Sequence, residues 1–337
     1  MRFWTGLLCI GISFLLSIGG EAVSRAAAQT PQTLTAFYTA PVASMAPLWI
    51  AKEAGLFKKH GLEVNVLFIA SGPSGAAAVL SGEVDVGIIG GFAPVQAVLG
   101  GAKNLVIIGQ SKRYMVGAIV GRADLQGVQD LRGKRLGIDR IGSNPDMYTI
   151  AALARYNIDP RRDLQYIQLG DTGQGIPALK AGAIDALTTT PPHSLFAERL
   201  GYKVILDITA LKIPFAATVL VSDRKTVDRK QAELRKFMRA YAEAIHFYLK
   251  NPEGTAPIVS KYTKVQERDI LTHTIESESE AMERTLQVNP KGIEFVLDQL
   301  KGKIPQAASA KAEEFYDPRF FTELRESGFL KSLWGEN

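Results

Sequence analysis

Six short stretches gather hydroxyl, amide and glycine residues where the chain reverses direction: residues 39–46, 71–75, 90–92, 140–144, 171–173 and 189–194. Such residues let a backbone approach a bound molecule closely and present hydroxyls and free N–H groups to it. Where a stretch opens a helix, the helix dipole adds a preference for negative charge. This is chemistry for holding a small molecule. The chemistry of bond making finds little support. G-x-S-x-G, Walker A and H-E-x-x-H patterns do not occur. His60, His246 and His273 stand singly, without metal-ligand spacing. One cysteine, Cys9, is too few for a disulfide scaffold or a Cys-rich metal site.

The elements that must position these stretches are written twice. Residues 34–38 read as a strand, and a helix is expected over 47–60, with Pro47 at its first position and Gly61 just past its end. A strand over 63–69, an Ala-rich helix ending near Leu80, a strand over 84–89 and a helix opening at 90–94 follow. Shifted by about one hundred residues, the order recurs: strand 135–138, a helix from near Pro145, strand 164–169, a helix after 171–175 and strand 183–189. Gly75, Ala78, Val79, Gly82, Val84 and Asp85 answer to Gly175, Ala178, Leu179, Gly182, Ile184 and Asp185. Six matches at one offset argue for a structural repeat of βαβ units. Asp85 and Asp185, each opening a strand, read as structural. Two α/β lobes set a cleft between them, beyond the carboxyl ends of their strands. Residues 116–120 and 218–221 are apolar strands expected to be the two crossovers.

Composition agrees. The chain has 337 residues, 46% hydrophobic and 22% charged, enough for two domains. Its 39 basic and 34 acidic residues leave a net charge of +5, a mild excess that does not mark a nucleic-acid binder. Met1-Arg2, the apolar residues 3–20 and Ala26-Ala27-Ala28 have the order of a secretory signal, with cleavage expected after Ala28. A retained membrane anchor is the rival reading, which the glycines and serines of the apolar run weaken. Lipid attachment at Cys9 is rejected because Leu8 precedes it. Cleavage leaves 309 residues, removes the only cysteine and lowers the net charge to +4. The mature chain is then thiol-free, as suits an oxidising exported compartment. Residues 228–249 form a long amphipathic helix with Leu234, Phe237, Met238, Tyr241, Ile245 and Tyr248 on one face, stopped by Asn251-Pro252. Further helices around 257–262, 265–285, 291–300, 310–315 and 317–327 are expected to cover the first lobe.

Ala46-Pro47-Leu48-Trp49-Ile50-Ala51-Lys52-Glu53-Ala54-Gly55-Leu56-Phe57 resembles the opening of the nitrate/sulfonate/taurine-type solute-binding proteins of ABC importers. Residues 80–85, 130–137 and 178–186 resemble the same family, and residues 317–329 one branch of it. The resemblance spans essentially the whole mature chain. It implies the type II periplasmic-binding-protein fold: two α/β lobes around a ligand cleft, two crossovers and a helical C-terminal region. Residues 29–115 would begin the first lobe, 116–221 form the second, and 222–337 complete the first. It also implies a periplasmic protein, monomeric and not inserted in the membrane, that captures a small anionic solute without a cofactor and without catalysis. Delivery would be to an ABC permease and, through it, a cytoplasmic ATPase.

The expected ligand contacts are Ser44, Ser71, Gly72, Ser74 and Phe92 in the first lobe, and Ser143, Asn144, Asp171, Thr190 and His193 in the second. Each has a plainer role. Ser71, Ser74, Ser143 and Asp171 are also suited to capping the helices behind them, Phe92 to the core and His193 to a loop. A carboxylate at Asp171 is compatible with an anionic ligand only if an amine or cation accompanies it. Arg140 and then Arg113 are the nearest candidates for an anion clamp. Two other functions fit the same lobes. One is presentation of a ligand to a membrane receptor. The other is catalysis like that of the thiamine-pyrimidine synthases, which resemble the family but use a cysteine-rich segment that the mature chain lacks.

Overall fold

The structure, a computed structural model, describes residues 32–335. The expected leader and its cleavage site lie outside the described residues. Ten strands form two five-stranded sheets. The first contains β1 (Gln32–Tyr38), β2 (Leu62–Phe68), β3 (Val86–Ile89), β4 (Leu105–Tyr114) and β10 (Pro214–Asp223), in the order β2-β1-β3-β10-β4. The second contains β5 (Ala118–Gly121), β6 (Arg135–Ile138), β7 (Gln165–Gln168), β8 (Ala186–Thr189) and β9 (Lys203–Asp207), in the order β7-β6-β8-β5-β9. Parallel pairing joins the first three strands of each list, and one antiparallel strand, β10 or β5, lies between them and the edge.

The helices of the repeat lie between those strands. The first sheet has α1 (Ala46–Glu53), α2 (Leu56–Lys59), α3 (Gly72–Ser81) and α4 (Phe92–Leu99). The second has α5 (Asn144–Ala154), α6 (Pro160–Asp163), α7 (Gly175–Lys180) and α8 (His193–Arg199). The repeat is physical as well as textual. Asp85 Oδ2 accepts the Thr35 N–H at 2.9 Å, and Asp185 Oδ2 accepts the Arg135 N–H at 3.0 Å. Each carboxylate thus ties the first strand of its half of the repeat, β1 or β6, to the entry of the third, β3 or β8. The helix expected over 47–60 is broken at Gly55, whose φ of +70° is left-handed and starts α2 afresh.

Two crossovers join the sheets, residues 115–117 and 208–213, and they are tied to each other. Met115 N–H donates to Ile213 O at 3.1 Å, and Ile208 N–H to Gly117 O at 3.0 Å. The expected crossover strand 218–221 instead lies within β10, paired with β3 and β4 in the first sheet. Residues 116–120 likewise enter β5 of the second sheet. Residues 105–114 and 203–207 also form strands, β4 and β9, where the local sequence pattern predicts none.

The remaining helices are α9 (Arg224–Arg229), α10 (Gln231–Lys250), α11 (Pro252–Thr263), α12 (Arg268–Ser279), α13 (Pro290–Leu300), α14 (Arg319–Glu326) and α15 (Phe329–Trp334). The apolar face of α10 is fully buried from Leu234 to Tyr248, against α1, α2 and the first sheet. Trp49, wholly buried, stacks on Tyr262 of α11 with ring centres 4.6 Å apart. No helix among the described residues is long and apolar enough to cross a membrane.

Candidate functional site

A cavity of about 350 Å³ opens between the two sheets, at the carboxyl ends of β1, β2, β3, β6, β7 and β8. Thr39, Ser44, Phe68, Ser71, Gly72, Gly90 and Lys112 line it from the first lobe. Asp139, Arg140, Ser143, Asn144, Tyr148, Asp171, Thr190 and His193 line it from the second. The site is where it is because both halves of the repeat end their strands on the same side. Each then turns into a helix, and the first residues of three of these helices, Gly72, Asn144 and His193, line the space.

Eight of the ten expected residues line the cavity: Ser44, Ser71, Gly72, Ser143, Asn144, Asp171, Thr190 and His193. The other two do not. Ser74 lies one turn behind, accepting the Ser71 hydroxyl at 3.1 Å. Phe92, 5% exposed, packs toward Gly142 and lines a different hollow. The capping alternatives separate as well. Neither Ser71 nor Ser74 caps α3, and Ser71 sits at a φ of +77°, a conformation serine rarely adopts. Ser143 does cap α5, accepting the Asp146 N–H at 3.4 Å while its own hydroxyl donates to Asp139. Asp171 accepts the Gly173 N–H at 2.8 Å and still borders the cavity.

Asn144 joins the lobes. Its Nδ2 donates to Ala217 O of β10 at 2.7 Å, and its Oδ1 faces Gly90 so closely that a Cβ there would collide with it. That Oδ1, the Tyr148 hydroxyl and His193 Nδ1 are buried atoms with no hydrogen-bond partner among the described residues. Buried polar atoms are usually paired, because leaving one unpaired costs about 1–3 kcal/mol. Three such atoms around one cavity suit a ligand that pairs them.

Charges of both signs surround the space. Lys112, 2% exposed, is neutralised by Glu278 of α12, with Nζ 2.8 Å from Oε2. Arg140 donates its Nε–H to Gly170 O at 2.5 Å, and its terminal nitrogens have no partner among the described residues. Burial pushes the Asp139 carboxyl up, against the opposing pull of the Ser143 hydroxyl and the Arg140 N–H. Burial pushes His193 down, partly offset by the Asp171 charge. A neutral imidazole can accept or donate, as a ligand requires.

Lys112, Tyr148, Asp139 and Phe68 were missed. Lys112 sits near the end of β4, and the apolar run 105–108 was the available signal for that strand. Tyr148 follows Asn144 by four residues, one helical turn, so the position of the first implied the second. Arg113, the second clamp candidate, points away and donates to Glu280 O at 2.9 Å.

A family model described as the NMT1-like family matches residues 28–262. The Bacillus subtilis binding protein YtlA is 28% identical over 202 residues, 58% of this chain and 59% of its own length. The chain therefore spans about three fifths of that relative. Among solved structures, the periplasmic nitrate-binding protein NrtA from Synechocystis PCC 6803 superposes with a TM-score of 0.74 at 17% identity, over 88% of this chain and 89% of its own. The alkanesulfonate-binding protein SsuA from Xanthomonas axonopodis pv. citri, bound to MOPS, gives 0.70 at 18% identity, over 83% and 99%. These likenesses show the fold: two α/β lobes of the periplasmic-binding-protein type.

Proposed function

The chain belongs to the NMT1-like family, and from that premise we propose that its mature form is the periplasmic solute-binding component of an ABC importer. It binds one small organic solute between the lobes and presents the closed form to a membrane permease. The observation that carries this reading is the trio of unpaired buried atoms, Asn144 Oδ1, Tyr148 Oη and His193 Nδ1, around a cavity shared by both lobes. Closure follows as a population shift, since only the closed state lets one ligand touch both walls.

The lining narrows the solute. A volume of 350 Å³ equals roughly a dozen waters at ~30 Å³ each, far more than a bare inorganic anion fills. The positive ends of the helix dipoles and Arg140 favour an acidic or strongly accepting group. Asp139 and Asp171 favour an amine or another hydrogen-bond donor on the same molecule. A wholly anionic ligand would meet two carboxyls. The reading therefore shifts from a simple anion to an organic solute carrying groups of both kinds, and it includes no chemical conversion. Export by a signal cleaved after Ala28 suits a thiol-free protein of this kind.

The test is a thermal-shift screen of the mature protein against sulfonates, carboxylates, amino acids, pyrimidines and nitrate. A cognate solute at ~100-fold its dissociation constant adds about 2.7 kcal/mol of stability. An amine-bearing organic acid should give the largest shift. Stabilisation by nitrate alone would refute the organic reading, and no shift in any class would refute the binding reading. Delivery is checked separately by uptake in a strain lacking the protein, which should fall for the same solute.

A further inference from the structure

Behind the solute cleft lies a second cavity, of about 590 Å³. Its floor is apolar and well buried: Phe92 is 5% exposed, Met147 1%, Ile158 2% and Leu300 2%. Its rim is cationic, with Arg161 and Arg162 at the start of α6 and Lys303 just after α13. Helix α5 separates the two cavities. Asn144 and Tyr148 face the solute, whereas Met147, Ile150 and Ala154, at the alternate helical spacing, face this one.

The rim is not a neutralised set of ion pairs. Lys303 has no carboxylate partner among the described residues. Arg161 reaches only Asp146, at 3.5 Å, and that carboxylate is already taken by the Gly142 N–H and the Tyr166 hydroxyl, each at 2.8 Å. Arg162 pairs with Asp163 at 2.9 Å, and Asp163 also serves Arg132. The single lining carboxylate, Asp159, is engaged in capping α6 through the Arg161 N–H at 3.0 Å.

We propose that this cavity is a second binding site, for an organic anion with an apolar body such as a medium-chain carboxylate. The hydrocarbon lies on Phe92, Met147, Ile158 and Leu300, and the acid group meets Lys303 and Arg161 at the mouth. The apolar floor takes the hydrocarbon out of water, and Lys303, which has no carboxylate partner among the described residues, selects the charged end with Arg161 beside it.

The experiment is titration of the mature protein with decanoate, followed by displacement of 8-anilinonaphthalene-1-sulfonate fluorescence and by calorimetry. One saturable site is expected, with uncharged decanol at least 10-fold weaker. The charge variant Lys303→Glu should weaken decanoate at least 10-fold with little change in melting temperature. Ala154→Trp should fill the space and abolish binding; if that variant does not fold, the charge variant decides alone. Three results would each overturn the proposal. They are no saturable binding, an affinity unchanged in the charge variant, or loss of binding in Arg140→Ala with the charge variant intact, which would put decanoate in the solute cleft.

Discussion

Tyr148, at 0% exposure, carries a hydroxyl with no hydrogen-bond partner within bonding geometry among the described residues, so its contribution is best separated by removing one atom. Tyr148→Phe should leave stability unchanged or slightly higher, because the buried orphan disappears. Solute affinity should fall about 3- to 10-fold, the worth of one hydrogen bond of ~0.5–1.5 kcal/mol. Calorimetry with the solute found by thermal shift measures it, and an unchanged affinity would take the hydroxyl out of the site. Asp139 behaves oppositely. Its carboxyl is held above its ordinary 3.8 by burial. Its protonated form is therefore favoured on folding: the contribution is present below pH 3.8 and lost as pH rises through the folded value. Asp139→Asn keeps an acceptor for the Ser143 hydroxyl and the Arg140 N–H. It should therefore raise the melting temperature at pH 7 without ligand, with the gain vanishing near pH 3. Of these two residues the sequence signalled only Tyr148, through its helical spacing from Asn144. The state of Asp139 depends on Ser143, which lies four residues on, and on how deeply the cleft covers both.

Helix α5 is the element on which both cavities depend, and its place is set by one close approach. Gly90 has no side chain, and Asn144 uses the room to reach Ala217 O. Gly90→Ala should push the start of α5 off the first lobe, weakening solute binding more than 10-fold. Its cost in unfolding free energy should be the ~1–3 kcal/mol typical of overpacking, measured by denaturant titration. Full affinity in that variant would mean that the helix does not need this seat. In the covering helices, Phe237→Ala should cost ~3–5 kcal/mol, because α10 meets α2 through the Phe57–Phe237 stack at 5.1 Å. Elements with strong local signals were legible: the Pro47 start, the Gly61 and Gly82 stops, the apolar face of α10. Strands β4 and β9 were not. Nothing local distinguishes an antiparallel edge strand from a crossover, because its partners are set by β10 and β5, roughly one hundred residues distant in the first case.

Two lobes tied by two short, mutually bonded crossovers should move about that seam. Solute bridging Ser71 and Arg140 can only be held when the walls are close. X-ray scattering should then show a smaller radius of gyration on addition of the cognate solute, and none in Ser143→Ala/Asn144→Ala at the same concentration. A radius that does not respond in the native protein would argue for a cleft that binds without closing.

The amino-acid order alone determined the two-lobe plan, the recurrence at about one hundred residues and the loops that border the cleft. These follow from periodicity, caps and turns, interactions within a few residues that a chain encodes wherever it lies. Tertiary structure decided the rest: that Lys112 is neutralised by Glu278, 166 residues away, that Phe92 turns toward the second cavity, and that carboxyls and cations share one cleft. Those outcomes depend on which distant surfaces meet, and burial then sets the charge and pairing of the groups between them.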